Sequence, residues 1–261
     1  MYVVWGAADY AREALDSARS VRAHMPDIPI YLKVAERKLL EGLDTSAFER
    51  VEIVEDAPAG PIVKALFLDG LVEDQLLYLD VDTRICDDLA PAFALLDRFD
   101  VAAAHAPIRT CVPGEMPDIP AAFTELNGGV IFVRNTPAVR AALSEWRRLY
   151  DELRPLSRQD QPSLRKALWQ SDLSIYVMPP EWNARLVFPI YLAEPVRILH
   201  SRFPDMPAAE RKANRDTGQR IFHPPAFLPF GQGLKWRIIR FVVRHRLTGL
   251  RKFWPRRREA S

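Results

Sequence analysis

The sequence predicts an α/β domain built on a mostly parallel, Rossmann-like sheet flanked by helices. Three observations carry this expectation. Short apolar, β-branched runs alternate with longer segments of helical periodicity. Several of those runs are apolar almost throughout, as strands covered on both faces must be. The chain has 261 residues, 48% hydrophobic and 27% charged, which is enough for one large core and excludes a disordered polymer.

Tyr2–Trp5 is the first strand, a run of aromatic and β-branched residues. Asp9 is the expected N-cap of a helix reaching about Ala23, with Ala14, Ala18 and Val21 on one face. Ile28–Val34 follows Pro26 as the second strand, and Val51–Val54 is the third. Ile62–Leu71 reads as helical and Gln75–Leu79 as a compact buried strand. Val101–Ala104 and Gly129–Val133 are further strands, and Pro137–Leu153 is a long amphipathic helix. Another helix ends at Trp169, with Asp160 as a candidate cap. Of the 22 prolines, 16 lie between Pro107 and Pro229, so the second half carries the irregular connections. Loops set on a rigid sheet are where binding groups concentrate.

Composition narrows the class. Two cysteines, Cys86 and Cys111, cannot form a disulfide framework and point to a reducing compartment. The start, Met1-Tyr2-Val3-Val4-Trp5-Gly6, has neither a charged leader nor a long apolar core, so no secretory signal is expected. No stretch approaches the ~18 apolar residues of a membrane span. The net charge of +2 hides an asymmetry: ten lysines and arginines face the single acid Glu259 between Leu234 and Ser261. Residues 1–233 are therefore an acidic body and 234–261 a basic tail. On a helical wheel Trp236, Ile239, Val243, Leu247, Leu250 and Trp254 share one face, flanked by Arg237, Arg240, Arg244 and Arg251 on one side and by Lys235 and Arg246 on the other. Gly249 interrupts this stripe, and Arg256-Arg257-Arg258 extends its charge. An anionic membrane surface met through 234–258 is the favoured partner. Packing on the acidic body and oligomerisation are the alternatives, and no reading motif supports nucleic acid.

The sharpest chemical feature is Leu79-Asp80-Val81-Asp82-Thr83, where an apolar strand delivers two carboxylates as it leaves the sheet. Ligands of open α/β sheets bind at the carboxyl ends of strands. Paired carboxylates repel unless a cation compensates them, and hard oxygen ligands suit Mn²⁺ or Mg²⁺. The plainer reading is a turn cap and a surface ion pair. A phosphatase signature of the haloacid dehalogenase kind would want Thr or Val where Arg84 stands. Downstream, Asn127-Gly128-Gly129 precedes an apolar strand, Asp160-Gln161 opens a helix, and His200 ends the apolar run Ile198-Leu199. Taken singly, these also read as an ordinary turn, a cap and a structural histidine.

In this order and at these intervals the four elements resemble the GT-A glycosyltransferases over Tyr2 to His200. The nearest likeness is to the glycogenin-like and related retaining families, which use nucleotide-diphosphate sugars. The resemblance implies a GT-A type fold and a metal held by Asp80, Asp82 and His200, with Val81, between the two acids, among the cofactor-binding residues. It implies that Tyr10, in Asp9-Tyr10-Ala11, packs on the nucleobase and that Lys64 contacts the donor phosphates or sugar. Gly128 and Gly129 would line the sugar pocket. Asn127, Asp160 and Gln161 would hold the transferred sugar, and Pro180-Glu181-Trp182-Asn183 would lie near the acceptor. In the family the histidine is often followed by Gly and then Lys-Pro-Trp, whose lysine grips the diphosphate. Here His200-Ser201-Arg202-Phe203-Pro204 follows instead, leaving Arg202 and Lys212 as candidates for that charge. The implied activity is metal-dependent transfer of a sugar from a nucleotide-diphosphate donor, UDP-sugar favoured, to a glycan or lipid-linked hydroxyl. The expected setting is the cytoplasmic face of a membrane. The alternative is a non-catalytic relative that binds nucleotide sugar or docks on membranes. A phosphotransferase or nucleotidyltransferase is disfavoured, because no Gly-rich phosphate loop with Lys is present.

Overall fold

Parity along the strands decides which side chains meet which layer. The computed structural model describes residues 1–54, 56–58, 60–110, 116–186 and 188–222. Cys111 and the basic tail expected over 234–261 lie outside the described residues. The elements begin with β1 (Tyr2–Val4), α1 (Ala8–His24), β2 (Tyr31–Val34), β3 (Arg50–Ile53), β4 (Gln75–Leu79) and β5 (Thr83–Ile85). Next come α2 (Ala90–Phe93), β6 (Val101–Ala104), β7 (Val130–Arg134), α3 (Pro137–Leu153) and α4 (Gln161–Trp169). Then follow β8 (Ile175–Met178), β9 (Ile190–Leu192), β10 (Ile198–His200), α5 (Met206–Ala213) and β11 (Arg220–Phe222).

β1, β2 and β3 pair in parallel. β4, β7, β6 and β8 form a second ladder in that order. Two backbone hydrogen bonds join the ladders in the pattern of a parallel pair: the Met1 amine to Leu77 O at 2.9 Å and Leu79 N–H to Met1 O at 3.0 Å. Only β7 runs against its neighbours in this central array. Tyr2, Val4, Leu77, Leu79, Ala102, Ala104, Val130 and Phe132 point to the face covered by α1 and α2. Val3, Leu76, Tyr78, Val101, Ala103, Ile131 and Val133 point to the face covered by α3 and α4. Both faces of the central strands β1, β4, β6 and β7 are covered, which is why these strands read as unbroken apolar runs.

Local chemistry sets the element ends. Thr136 caps α3 by accepting Val139 N–H at 3.3 Å, with Pro137 in the first turn. Asp9, expected to cap α1, sits inside its first turn and pairs with Arg12 at 2.5 Å; Ala7 occupies the cap. The helix expected over Ile62–Leu71 is a 3₁₀ segment, Pro61–Leu66, followed by turns. Its residues from Ile62 to Leu66 are all buried, so it lacks the solvent-facing side of an amphipathic helix. A small separate core of Ala184, Leu186, Leu192, Val196, Leu199 and Ala213 backs β9, β10 and α5.

Trp146 links core to function. It is fully buried, and its indole N–H donates to Asp160 O at 2.9 Å. Trp146→Ala is expected to lower unfolding free energy by about 3–5 kcal/mol. Trp146→Phe should lose less than half of that, because Ser163 and Leu164 also donate to the same carbonyl. Equal losses in a guanidinium titration would show that ring volume is not what Trp146 supplies.

Candidate active site

The Asp-x-Asp segment forms where β4 leaves the sheet. β4 and β7 pair with Leu79 opposite Val130, so the next residues, Asp80 and Gly129, face each other, and Asp80 N–H donates to Gly129 O at 2.7 Å. The chain then turns into β5, which pairs antiparallel with β10 and sets His200 opposite Thr83. Ser201 N–H closes this ladder by donating to Asp82 O at 2.9 Å. A residue more than a hundred positions downstream is thereby fixed beside the acids. His200 Nε2 lies 3.4 Å from Asp82 Oδ1 and 3.7 Å from Asp80 Oδ2. Asp80, Asp82 and His200 each offer a ligand atom within 4.8 Å of the other two.

Gly129 is a glycine because of this close approach. A Cβ there would overlap His200 Cε1 and come within 2.9 Å of Asp80 Cγ. Around the acids the core supplies donors. Tyr78 is two residues before Asp80 on the same face, and its hydroxyl donates to Asp80 Oδ1 at 2.7 Å. Burial, then the Asp80 charge and hydrogen bond, hold the Tyr78 phenol well above its ordinary range, so it stays a donor. Lys64 Nζ lies 3.0 Å from Asp80 Oδ1 and 3.3 Å from Asp160 Oδ2. Burial pulls the Lys64 pKa down, but Asp160 and Asp80 together outweigh it and raise it. Asp160 Oδ2 is held by this ion pair and makes no hydrogen bond.

An amide relay fixes the histidine tautomer. Gly129 N–H can only donate, and at 3.0 Å it fixes Asn127 Oδ1 as an acceptor. Asn183 Nδ2 donates to that oxygen at 3.0 Å, while Asn127 Nδ2 donates to Gln161 Oε1 at 3.0 Å. Asn183 Oδ1 therefore faces His200, whose Nδ1–H donates to it at 2.7 Å. The Nε2 lone pair is left pointing at the acids. Burial, then Arg185, push the His200 pKa down against the opposing pull of Asp82. Burial would raise the Asp82 pKa, but with His200 neutral it is the positive charge of Arg202 and Arg185 that holds it below the ordinary carboxylate range. Two carboxylates and a neutral imidazole with a directed lone pair fit a divalent cation.

The structure thus gathers Asn127, Gly128, Gly129, Asp160 and Gln161 around Lys64 and the acids. Arg202 reaches the rim: it pairs with Glu13 at 2.9 Å, lies 3.7 Å from Asp82 Oδ2, and stacks 4.8 Å over the Tyr10 ring. A cavity of about 650 Å³ opens beside Asp82, Thr83, Arg202 and Glu13. Three expectations change. The Val81 side chain is in the core, so only its backbone faces outward. Asp160 does not cap α4, because its side chain is turned to Lys64. Asn183, expected near the acceptor, is buried behind His200 as the relay's last amide. Lys212 is exposed on α5 and makes no described contact with the acids. Sequence reasoning missed Tyr78, which its spacing from Asp80 could have revealed, and Arg185, which sits in an irregular stretch with no periodic signal.

No family model matches the chain, and no curated protein matches it. Solved structures do. The glycosyltransferase GlyE of Streptococcus pneumoniae TIGR4 is similar at a TM-score of 0.55 and 20% identity, over 84% of this chain and 57% of that one. The galactosyltransferase LgtC, in complex with donor and acceptor sugar analogs, is similar at 0.55 and 15% identity, over 82% and 93%. An active-site mutant of LgtC gives 0.54 and 16%, over 79% and 89%. The fold is that of the GT-A glycosyltransferases. The chain spans little more than half the length of the GlyE structure.

A neutral buried imidazole makes stability pH-dependent. The folded pKa of His200 lies below its unfolded value, so below about pH 6.5 the unfolded chain takes a proton that the folded chain refuses. The stability contribution is present above that pH and declines as pH falls, by up to about 1.4 kcal/mol per pH unit. Unfolding midpoints between pH 7.5 and 5.5 should show this slope in the wild type and a shallower one in His200→Gln; parallel slopes would mean that His200 titrates freely.

Proposed function

We propose that this chain is a metal-dependent glycosyltransferase that moves a sugar from a nucleotide-diphosphate donor, UDP-sugar favoured, to a hydroxyl acceptor. The observation that carries the reading is the convergence of Asp80, Asp82 and the Nε2 lone pair of His200 at the carboxyl edge of the sheet. Mn²⁺ or Mg²⁺ held by these three would neutralise charge on the diphosphate as the glycosidic bond breaks.

The chain's own groups bind and orient. Tyr10, with Arg202 stacked on it, offers a flat cationic surface at the rim for the base and the adjoining phosphate. Asp160 and Gln161 lie at the start of α4, packed against Gly128, where a Cβ would come within 3.1 Å of Asp160 Oδ2. They and Asn127 would take the sugar hydroxyls, fixing the anomeric carbon toward the acceptor. Lys64 holds Asp160 and Asp80 in place while carrying a charge near the donor phosphates. The basic stripe over 234–258 would bring this site to an anionic membrane and a lipid-linked or envelope acceptor. The likeness to GlyE and LgtC favours sugar transfer over phosphate chemistry on the same acids.

UDP with Mn²⁺ at a hundred times Kd should add about 2.7 kcal/mol of stability, a rise of several degrees in Tm. Asp82→Asn should abolish the shift and cut donor turnover by about a hundredfold or more. Turnover within about threefold of wild type would remove the acids from the reaction.

A further inference from the structure

Arg185 is the residue at this site that neither the core nor the proposed chemistry accounts for. It follows Ala184, whose backbone is pinned by Ala184 N–H to Ile198 O at 2.8 Å and His200 N–H to Ala184 O at 3.1 Å. The guanidinium is therefore delivered to the acids from a fixed backbone, and any movement of its head must come from side-chain rotation. Its Nη1 donates to His200 Nε2 at 2.8 Å. That is the lone pair the amide relay turns toward Asp80 and Asp82.

A neutral imidazole has one such lone pair. It can accept from Arg185 or ligate a cation, and it cannot do both. A divalent ion beside Asp82 would also repel a guanidinium at hydrogen-bond distance from its third ligand. Among the described residues touching the acids, the other two cations are tied down. Lys64 is shared between Asp80 and Asp160, and Arg202 holds Glu13 through three hydrogen bonds while stacking on Tyr10. Arg185 makes one hydrogen bond to the site, and its buried Nε has no partner. An unsatisfied buried donor on a planar fork is matched by an anion that can take two parallel hydrogen bonds, as a phosphate does.

We propose that Arg185 is a displaceable counter-cation: its guanidinium competes with a divalent ion for the His200 lone pair and, once displaced, clamps the diphosphate that the ion draws in. The lysine that the resemblance leads one to expect after His200 is absent, and Arg185 thereby adds a diphosphate-gripping charge from before it, alongside Arg202 at the rim. This rests on the nucleotide-diphosphate donor proposed above, and the two can be separated experimentally.

Mn²⁺ alone, and then UDP at saturating Mn²⁺, are titrated calorimetrically into the full-length wild type, Arg185→Met and Arg185→Lys. Arg185→Met keeps the apolar stem and so guards against a packing defect. It should bind Mn²⁺ alone at least about threefold more tightly than wild type, because the competitor is gone. It should bind UDP in Mn²⁺ about tenfold more weakly, the loss of a charge-assisted hydrogen bond. Arg185→Lys should recover part of the UDP affinity. A merely structural role would weaken both steps together. Arg185→Met that binds Mn²⁺ no more tightly, or UDP no more weakly, overturns the proposal. A wild type that takes Mn²⁺ but no UDP instead sinks the donor reading, and the clamp with it.

Discussion

Two carboxylates that leave one strand at alternate positions cannot be packed beside each other without positive charge nearby. Much of the site can be understood as the answer to that constraint. Lys64 comes from the 3₁₀ segment below the sheet and sits between Asp80 and Asp160. Arg202 leans in from the rim, and Arg185 reaches the imidazole that completes the cluster. Each cation arrives on a different element, so the acids tie distant parts of the chain together. Such an arrangement is weak evidence for stability, because desolvating the charges offsets most of their attraction. It is better evidence for a place where charge is exchanged.

The neutral partner is as constrained as the charged ones. The relay from Gln161 through Asn127 and Asn183 to His200 has a single polarity, set by the one donor in it that cannot rotate, the Gly129 N–H. Gly129 therefore does two things: its missing side chain makes room for His200 and Asp80, and its amide determines which imidazole nitrogen keeps a lone pair. The tautomer of a metal-type histidine is here decided more than 70 residues away in sequence.

Strand placement was legible because parity and burial leave the same mark in composition. Gln75–Leu79 and Val101–Ala104 read as strands with the observed bounds, and Pro137–Leu153 as a helix with its observed bounds. Strand direction was not legible, since β7 is as apolar as its parallel neighbours and nothing local reveals that it runs the other way. Asp9 and Asp160 were read as caps from type and position alone, yet one pairs with Arg12 and the other with Lys64, contacts that depend on geometry. The acids, the glycines and His200 could be found because their residue types are unusual at strand ends. Arg185 and the inward turn of Asn183 could not, because an irregular, proline-rich segment carries no period that fixes where its side chains point.

Metal-dependent sugar transfer at this site, as proposed, requires His200 Nε2 to act as a ligand alongside the two acids. Electron spin-echo modulation on Mn²⁺ bound to the full-length protein with UDP reads this directly, since only a coordinated imidazole nitrogen couples strongly to the ion. One nitrogen coupling is expected in the wild type, and it should vanish in His200→Gln while weaker Mn²⁺ binding persists. Bound Mn²⁺ without nitrogen coupling, or coupling that survives His200→Gln, would contradict the account.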